Sequence, residues 1–388
     1  MISTPRFRPR NLLVTGGAGF IGANFVHFWL GRHPTGRIVV LDALTYAGNR
    51  SSLEPREPDQ RLRFVHGDIG DERLVGELLY DEMIDTIVHF AAETHVDRSI
   101  HDPDDFLRTN VIGTHALLKA ARMAWLEDPR TATGEHRFHH VSTDEVYGSL
   151  GPSDPAFRET TPYAPNSPYS ASKAAADHLV RAYHRTYGLS TVTSNCSNNY
   201  GPYQFPEKLI PLTLVNLLHG KPIPVYGDGQ NVRDWLYVED HCRGIELCLL
   251  DGAPGETYNF GGNKERTNVE VVRLLCATLD RWFASKPDLT RRFPDAPRSA
   301  GRPSDCLIEF VRDRPGHDRR YAVDVGKAER ELGYRPVETL ETGIERTIAW
   351  YLDNEPWWSS VMDGSYRRWM ATNYAGSQGL DPTEPRRY

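Results

Sequence analysis

A glycine-rich run, Gly16-Gly17-Ala18-Gly19-Phe20-Ile21-Gly22, constrains the fold of this chain more than any other feature. It follows the apolar stretch Asn11–Thr15 and precedes a helix-like segment, Ala23–Leu30. Glycines at this spacing permit a tight turn and let the backbone approach a pyrophosphate, while the amides at the helix N-terminus face its negative charge. A glycine turn that serves only geometry is the alternative. The strand–turn–helix context favours a dinucleotide-binding site.

Strand-like and helix-like segments alternate along the first half of the chain. The apolar runs are short, and helix-length segments such as Glu72–Asp81 separate them. This alternation requires parallel strands joined by crossover helices on both faces of a sheet. The predicted fold class is therefore α/β, with a Rossmann-like doubly wound parallel sheet. The further predicted strands are Arg37–Asp42, Leu62–His66, Thr86–Phe90, His136–Val141 and Ser190–Asn195, and the longest predicted helices are Pro103–Leu126 and Ser167–Tyr187.

The character of the chain changes after about Asn199, where proline and glycine become frequent and strands become shorter. We expect residues 1–200, together with roughly 230–260, to form a dinucleotide-binding Rossmann domain. Roughly 201–229 and 261–388 are expected to form a smaller C-terminal lobe that binds the substrate. The stretch Lys286–Arg302 is predicted to be a surface loop or insertion, and the polar end Asp381–Tyr388 is predicted to fray.

Composition excludes several classes of partner. The 388 residues carry a formal net charge of −7, so no basic excess is present to neutralise the phosphates of a nucleic acid. The five cysteines are scattered without Cys-x-x-Cys spacing, which predicts free thiols in a reducing compartment. His95, His139 and His140 are expected to be structural, so no metal site is predicted. No apolar run is long enough to span a bilayer, and a soluble, cytoplasmic protein is the expectation.

An aspartate at the end of the second predicted strand indicates which dinucleotide is bound. Asp42 lies at about the expected separation of roughly 20 residues after the glycine run. A carboxylate there accepts hydrogen bonds from a ribose diol and repels a 2′-phosphate, which favours NAD over NADP. Asp68 and Ile69, after the third strand, and Ala91 and Ala92, after the fourth, are candidate cofactor contacts. For either pair alone, an ordinary loop is an equal alternative.

A hydroxyl, a phenol and an amine form the first part of the candidate catalytic set. Tyr169 and Lys173 are spaced to lie on one face of a helix. The phenol, with an ordinary pKa near 10, stays protonated at neutral pH, but the charge of Lys173, together with that of the nicotinamide, is expected to lower that pKa. Tyr169 then removes a proton from a substrate hydroxyl while the carbon releases hydride to NAD, and Thr143 orients that hydroxyl. These three residues explain an alcohol oxidation.

Asp144 and Glu145 exceed what an alcohol oxidation needs. Two carboxylates divide acid and base roles when one is held protonated and the other ionised. Oxidation of a sugar at C4 acidifies the proton at C5, so one carboxylate can remove that proton while the other protonates a leaving hydroxyl at C6. The net reaction is a dehydration that regenerates NAD. A helix-capping or solvent-facing pair is the alternative, but the two residues follow Thr143 at the carboxyl end of a strand, where open α/β sheets bind ligands.

Together these residues resemble the extended short-chain dehydrogenase/reductase family. Within that family the chain is similar to the dTDP-glucose 4,6-dehydratases. The resemblance extends over nearly the whole chain. The segments that carry it are Val14–Gly22, Leu41–Asn49, Ala91–Ile100, Ser142–Gly148, Ser194–Pro202, Arg233–Trp235 and Arg312–Tyr321.

The resemblance implies a lyase that converts dTDP-glucose to dTDP-4-keto-6-deoxyglucose with tightly bound NAD. It assigns Asp144 as the acid at C6, Glu145 as the base at C5 and Tyr169 as the base for the 4-hydroxyl. Asp144 is the diagnostic residue, because related decarboxylases carry a glutamate at the position of Glu145 and related epimerases lack the pair. The resemblance also implies a homodimer, for which helices Pro103–Leu126 and Ser167–Tyr187 could supply a four-helix interface or could equally face the core.

The resemblance further assigns the residues around each ligand. Bidentate pairing of arginine with phosphate oxygens supports Arg233 and Arg314, although a surface salt bridge is the alternative for each. Thr94 stands where serine is usual, and Lys286–Arg302 is longer than usual. The implied NAD contacts are Gly16, Gly17, Gly19, Phe20, Ile21, Gly22, Asp42, Leu44, Thr45, Asp68, Ile69, Ala91, Ala92, Thr109, Tyr169, Lys173 and Asn198. The implied substrate contacts are Thr94, Thr143, Asn199, Glu207, Lys208, Leu209, Tyr226, Arg233, Asn268, Arg314 and His317.

Other functions remain as alternatives at the level of sequence. A 4,6-dehydratase acting on another nucleotide sugar, such as UDP-glucose, differs only in the base that it recognises. A nucleotide-sugar epimerase or decarboxylase would use the same fold and cofactor. A non-catalytic NAD-binding scaffold belongs to a different class, and the intact set of Thr143, Asp144, Glu145, Tyr169 and Lys173 argues against it.

Overall fold

Twelve strands are present in the computed structural model, which describes residues 7–131 and 134–362. The segment Asp381–Tyr388, predicted to fray, lies outside the described residues. The strands are β1 (Asn11–Thr15), β2 (Arg37–Asp42), β3 (Leu62–His66), β4 (Thr86–His89), β5 (Arg137–Thr143), β6 (Thr191–Cys196), β7 (Asn198–Tyr200), β8 (Ile223–Tyr226), β9 (Val232–Tyr237), β10 (Thr257–Phe260), β11 (Glu265–Thr267) and β12 (Ile308–Val311).

Seven of these strands form one parallel sheet in the order β10-β6-β5-β4-β1-β2-β3. The order reverses beside β1, which is the pattern of a doubly wound fold. The predicted fold class is therefore confirmed. The six predicted strands are all present: three have the predicted ends, and the ends of the other three differ by one or two residues. Strand β10 was not predicted, because its four residues alternate polar and aromatic side chains without an apolar run.

Helices cover both faces of the large sheet. The described helices are α1 (Phe20–Arg32), α2 (Glu72–Asp81), α3 (Val96–His101), α4 (Asp104–Phe106), α5 (Thr114–Arg122), α6 (Pro168–Tyr187), α7 (Leu209–Leu218), α8 (Val238–Asp251), α9 (Asn268–Ser285), α10 (Asp288–Arg292), α11 (Gly326–Leu332), α12 (Leu340–Asp353) and α13 (Glu355–Val361). On one face α2, α5 and α6 pack over residues such as Leu13 and Phe138, and on the other α1 and α8 pack over Val14 and Val40. No described helix has the length and apolarity that crossing a membrane would require.

The long helix predicted over Pro103–Leu126 is continuous but not regular. Two π-helical stretches, Leu107–Gly113 and Met123–Glu127, flank α5. A π-turn inserts an extra residue into the helix and rotates the side chains that follow it. The helix was therefore predicted over the correct residues, but the spacing of its apolar side chains changes along its length.

Smaller elements from the second half of the chain pack beside the carboxyl ends of the large sheet. They include a three-stranded sheet in the order β11-β9-β7 and a two-stranded parallel sheet of β8 and β12. Their separate core joins α7, α9, α12 and α13 through side chains such as Ile344, Tyr351 and Trp358. The sheet β11-β9-β7 places Arg233 beside the main cleft, since β7 directly follows β6.

The stretch Lys286–Arg302 is not the surface loop that the sequence predicted. It contains helix α10 and a 3₁₀ turn, Pro297–Ala300. Leu289, Phe293 and Ala296 are buried in the same core as α9 and α12. The sequence analysis missed these buried apolar residues because they are few and are separated by proline and charged residues.

Candidate active site

A cleft opens at the carboxyl ends of the parallel strands, where the strand order reverses. The candidate catalytic residues Thr143, Asp144, Glu145, Tyr169 and Lys173 all line it. The predicted cofactor contacts that line it are Gly16, Gly19, Phe20, Ile21, Gly22, Asp42, Thr45, Asp68, Ile69, Ala91, Ala92, Thr109 and Asn198. The predicted substrate contacts that also line it are Thr94, Asn199, Glu207 and Lys208.

The glycine turn leaves a helix end free for an anion. Gly16 has a φ of +68°, and a Cβ on Gly22 would lie 2.3 Å from the Gly16 carbonyl oxygen, so both positions require glycine. Gly19 is the N-cap of α1, and no side chain caps that helix. Gly17 does not line the cleft, because it packs against Val40 of β2. The exposed amides at the start of α1 therefore fit a diphosphate.

Asp42 fixes the geometry of the glycine turn from the neighbouring strand. Its Oδ2 accepts a hydrogen bond from the Ala18 amide at 2.9 Å, and its Oδ1 accepts one from the Leu44 amide at 2.8 Å. Burial raises the pKa of this carboxyl, and the two amide donors oppose that rise. Lone pairs remain on both oxygens to accept hydroxyl donors from a ribose. Leu44 does not line the cleft, and its side chain packs against the core beneath α1.

Two local structures bring the five catalytic candidates together. Strand β5 ends at Thr143, whose hydroxyl caps a 3₁₀ turn over Asp144–Tyr147 by accepting from the Glu145 amide at 3.2 Å. Helix α6 begins after a capping box formed by Ser167 and Ser170. Its first turn carries Tyr169, and Lys173 follows one turn later. The helix packs on β5 and β6, so the phenol meets the carboxylates at the end of the sheet.

The expected effect of Lys173 on Tyr169 is not what the protein chain alone produces. Burial raises the pKa of the Tyr169 phenol well above its usual value, and the Glu145 carboxylate adds to the rise. Lys173 is buried, which lowers its pKa, and its Nζ donates to the Val141 carbonyl oxygen at 2.8 Å. Desolvation dominates the phenol pKa in the protein chain itself, so the lowering expected from Lys173 together with the nicotinamide stays a prediction. The hydrogen bond from the Thr143 hydroxyl opposes that rise.

Asp144 and Glu145 experience different surroundings. Burial raises the pKa of Asp144 well above its usual value, and the charges of Glu145 and Asp234 raise it further. Its Oδ2 has no hydrogen-bond partner within residues 7–131 and 134–362. Burial also raises the pKa of Glu145, but the cations Arg314, Arg233 and Lys208 oppose that rise. The surroundings of Asp144 therefore favour the protonated acid more strongly than those of Glu145 do.

The predicted substrate contacts divide into two groups. Glu207 and Lys208 lie in the cleft, and the Lys208 Nζ donates to the Thr94 carbonyl oxygen at 3.3 Å. Thr94, Thr143 and Asn199 line the cleft with them, whereas six other predicted contacts lie beyond its lining, on elements of the second half of the chain. They are Leu209, Tyr226, Arg233, Asn268, Arg314 and His317. Arg233 and Arg314 are nevertheless close enough to oppose the rise that burial causes in the pKa of Glu145.

An aspartate that the sequence motifs assigned no role joins two of these more distant residues. Asp97, buried on α3, accepts from the Arg314 Nη1 at 3.1 Å and from the Tyr226 hydroxyl at 3.3 Å. The Arg314 Nε is buried and has no partner in the described part of the chain. Asp97 lies in the segment Ala91–Ile100 that carried the resemblance, but its role depends on a contact across 217 residues of sequence.

A second group of unpredicted residues closes the cleft near Glu207. The Arg98 guanidinium stacks over the Tyr46 ring at 3.8 Å, and its Nη2 donates to the Glu207 Oε2 at 3.4 Å. Glu93 lines the cleft beside them, and burial raises the pKa of its carboxyl. This cation, aromatic ring and carboxylate come from separate parts of the chain and form no sequence motif. The group is therefore evident only in the folded structure.

The three histidines singled out from the sequence have structural partners. His140 bonds to the Asp177 Oδ1 at 3.0 Å, and His139 bonds to the Ser194 hydroxyl at 3.1 Å. His95 caps α3. Among the described residues, no group of three or more His, Cys, Asp or Glu side chains is arranged to hold a metal ion.

Asp177 is a buried carboxylate one turn beyond Lys173. Besides His140, it accepts hydrogen bonds from the Ser142 hydroxyl and from the Tyr163 hydroxyl, both at 2.9 Å. Burial raises its pKa to about 6, and the charge of Lys173 opposes that rise. These bonds tie β5, α6 and the loop that contains Tyr163 together directly behind the catalytic residues.

This chain is similar in sequence and in fold to known proteins. A family model described as GDP-mannose 4,6 dehydratase matches residues 13–347. A dTDP-glucose 4,6-dehydratase of Xanthomonas campestris pv. campestris (strain B100) is 57% identical over 355 residues, which cover 92% of this chain and 97% of that protein.

Two solved structures have the same fold. A dTDP-glucose 4,6-dehydratase from Streptomyces venezuelae, crystallised with NAD bound, has a TM-score of 0.78 and 48% identity, over 90% of this chain and 99% of its own. A dTDP-glucose 4,6-dehydratase from Bacillus anthracis, also in complex with NAD, has a TM-score of 0.78 and 44% identity, over 91% of this chain and 99% of its own.

Proposed function

This chain belongs to the dTDP-glucose 4,6-dehydratase family, and from that membership we propose how its residues divide the reaction. It is an NAD-dependent lyase of the extended short-chain dehydrogenase/reductase class. It converts dTDP-glucose to dTDP-4-keto-6-deoxyglucose by oxidation at C4, loss of water across C5 and C6, and return of hydride to C6. The proposed division of roles depends on one observation. The Asp144 Oδ2 is buried and has no hydrogen-bond partner among the described residues.

The residues of the cleft fit the cofactor. The uncapped start of α1 suits a diphosphate, and the Asp42 carboxylate suits a ribose diol. Asp68 and Ile69 follow β3 on the side of Asp42 where the adenosine half would lie, and Tyr169 and Lys173 mark the other end of the cleft. When bound, NAD supplies the acceptor for the hydride of C4 and the donor for C6.

Tyr169 acts as the base for the 4-hydroxyl of the sugar. The raised pKa of the phenol makes it a strong proton acceptor once it is ionised, and Thr143 donates a hydrogen bond to that ionised form. Lys173 is held by the Val141 carbonyl oxygen at 2.8 Å and supplies positive charge below the phenol. These residues account for the oxidation step alone.

Asp144 and Glu145 account for the loss of water. Burial and two neighbouring carboxylates keep the Asp144 pKa high, so it carries the proton that the C6 hydroxyl needs in order to leave. Arg314, Arg233 and Lys208 favour the ionised form of Glu145, which takes the proton from C5. An epimerase or decarboxylase has no use for the first of these two groups.

Incubation of the purified protein with dTDP-glucose and no added reductant tests the function. The expected result is stoichiometric dTDP-4-keto-6-deoxyglucose, identified by mass spectrometry and by its 4-keto group. UDP-glucose is the control for the choice of base and should be converted much more slowly. Conversion of UDP-glucose instead would move the assignment to another nucleotide, and conversion of neither would overturn the dehydratase function.

We propose that Asp97 is a positioning residue for the nucleotide diphosphate. It holds Arg314 and Tyr226 at 3.1 and 3.3 Å, so the guanidinium is already oriented before substrate arrives. Asp97→Asn should raise KM for dTDP-glucose about tenfold, as expected for about 1.4 kcal/mol of lost binding. It should change kcat little, because Asp97 touches no reacting atom. Asp105→Asn, at an exposed pair with Arg108, is the matched control.

We also propose that two copies of this chain pair through α6 and the helical segment around α5. Three large apolar side chains, Leu107, Ile112 and Met123, are exposed on that segment, and Ile112 is 60% exposed. Leu107→Glu with Ile112→Lys should convert a dimer to a monomer in sedimentation velocity. Met83→Glu, at a 71% exposed methionine after α2, should leave the dimer intact. A monomeric parent protein would contradict the pairing.

We propose a cytoplasmic location on the chemistry of the cysteines. All five are free, and four of them are buried. Burial raises the pKa of Cys196, Cys242, Cys248 and Cys276, which keeps these thiols protonated. Such thiols persist in a reducing compartment. Recovery of the activity in the membrane or periplasmic fraction of a source cell would contradict this location.

A further inference from the structure

His241, near the start of α8, is a buried imidazole that has no part in the reaction described above. Its side chain is fully buried, and its ring centroid lies 6.2 Å from that of Phe260. Its Nδ1 is hydrogen-bonded to the Asn199 Oδ1 at 3.0 Å, whereas its Nε2 has no hydrogen-bond partner among the described residues. Because a buried polar atom without a partner costs stability, the bond from Nδ1 identifies what this imidazole holds.

The orientation of the Asn199 amide follows from its two partners. Its Nδ2 lies 2.9 Å from the Ser197 carbonyl oxygen, which can only accept a hydrogen bond. The amide nitrogen therefore faces Ser197, and the amide oxygen faces His241. Since that oxygen also only accepts, the His241 Nδ1 must carry the ring hydrogen. These two bonds fix both the rotation of the amide and the tautomer of the imidazole.

The amide oxygen of Asn199 is turned away from the cleft. Asn199 and Ser197 line the cleft, whereas His241 does not. Burial lowers the pKa of His241 to about 3, so the ring stays neutral and keeps its hydrogen on Nδ1 at neutral pH. The nitrogen side of the amide therefore faces a ligand in the cleft. An N–H donor suits a phosphate oxygen, whereas an amide oxygen would repel one.

The backbone at Asn199 is held in place independently of His241. Asn199 lies on β7, where it is opposite Leu236 of β9, and its carbonyl oxygen accepts from the Gln204 Nε2 at 3.0 Å. The freedom that remains is rotation of the amide about the side-chain bonds, which His241 restrains. An amide that is oriented before the ligand arrives does not have to be ordered at the expense of binding energy.

We propose that His241 is a positioning residue that turns the Asn199 amide nitrogen toward the diphosphate of the nucleotide sugar, and this inference rests on the function proposed above. His241 touches no reacting atom and acts through Asn199. Without the Nδ1 donor, the amide can rotate and present its oxygen to the cleft. Binding of the nucleotide should then weaken, while the chemistry on the sugar should continue.

His241→Leu tests this role because leucine occupies the site without a donor. Titration calorimetry should show a Kd for dTDP raised about tenfold, and KM for dTDP-glucose should rise by the same factor with little change in kcat. His241→Asn is the rescue variant, because its amide nitrogen is as many bonds from the backbone as the His241 Nδ1. It should bind dTDP within about twofold of the unmodified protein.

His139→Leu is the matched control, which separates positioning from packing. His139 is also a fully buried histidine, but its Nε2 is bonded to the Ser194 hydroxyl at 3.1 Å, and neither residue lines the cleft. This variant should lower the temperature of unfolding and leave the Kd for dTDP unchanged. An equal weakening of dTDP binding in His139→Leu and His241→Leu would overturn the positioning role.

Variants of Asn199 keep the inference testable if His241→Leu does not fold. Asn199→Asp keeps an oxygen for His241 but replaces the amide nitrogen with a second oxygen, so its Kd for dTDP should rise at least about tenfold. Its content of bound NAD should stay normal. Unchanged dTDP binding in Asn199→Asp would overturn the inference.

A double variant tests whether His241 acts through Asn199. Asn199→Ala combined with His241→Leu should have the same Kd for dTDP as Asn199→Ala alone, because the amide that His241 orients is already gone. Effects that multiply would show that His241 acts independently and would overturn the inference. An unmodified protein that binds dTDP but forms no product would overturn the dehydratase function while the positioning of Asn199 stands.

Discussion

Asp144→Asn is expected to stop the loss of water while leaving the oxidation at C4 nearly intact. The amide has the shape of the acid but donates no proton to the C6 hydroxyl. The buried Asp144 has an unsatisfied Oδ2 and a pKa that burial raises well above its usual value, which are the properties of a general acid. Removal of such a group costs about 10²–10⁴-fold in rate. Rapid quench with mass spectrometry should therefore show the 4-ketoglucose nucleotide, formed at close to the normal rate, before any 6-deoxy product.

The controls for Asp144→Asn separate chemistry from folding. Asp81→Asn changes an exposed carboxylate on α2 and should leave both steps unchanged. A normal content of bound NAD in Asp144→Asn would show that the cleft is intact. Equal slowing of the oxidation and of the water loss would contradict the assignment of Asp144 as the acid at C6.

Tyr169→Phe is expected to abolish both steps, because the water loss depends on prior oxidation. Phenylalanine keeps the edge contact with Phe106, whose ring centroid lies 6.3 Å from that of Tyr169, so the fold should tolerate it. The loss of a positioned base should lower kcat by about 10²–10⁴-fold. No 4-ketoglucose nucleotide should accumulate in a rapid-quench experiment, in contrast to Asp144→Asn.

The pH dependence gives Tyr169 a second test. Burial raises the phenol pKa, and the reactive form is the phenolate, so activity is lost as the pH falls and the phenol takes up its proton. The profile of kcat/KM should therefore rise with pH in the unmodified protein, and this limb should be missing in Tyr169→Phe. Tyr80→Phe, at an exposed tyrosine on α2, should keep it. A limb that persists in Tyr169→Phe would assign the base to another group.

Local sequence patterns correctly predicted the main structural elements around the cleft. The glycine turn, the strand that ends at Asp42 and the Tyr169–Lys173 pair each depend on neighbours along the chain, and each lies where it was expected. The same kind of local pattern placed Asp144 and Glu145 at the carboxyl end of a strand, and the family resemblance then suggested their separate roles. The division of the chain into two lobes and the roles of the individual site residues stay predictions.

Contacts between distant segments could not be predicted from the sequence. Asp97 meets Arg314 only because α3 and the segment after β12 converge on one cleft. The direction of the Tyr169 pKa depends on how deeply the phenol is buried, which no spacing of residues reveals. Leu289 and Phe293 likewise became core residues only through the packing of α10 against α9.

The hydrogen bond from Lys173 to the Val141 carbonyl oxygen has a consequence for local unfolding. It joins helix α6 to strand β5 two residues before Thr143, and Asp177 joins the same two elements through Ser142 and His140. Segments linked in this way open together, and their amide hydrogens exchange with solvent as one cooperative unit. We therefore expect partial unfolding never to separate the catalytic groups on α6 from those after β5. Either all of these groups stay in place or all are displaced in one event.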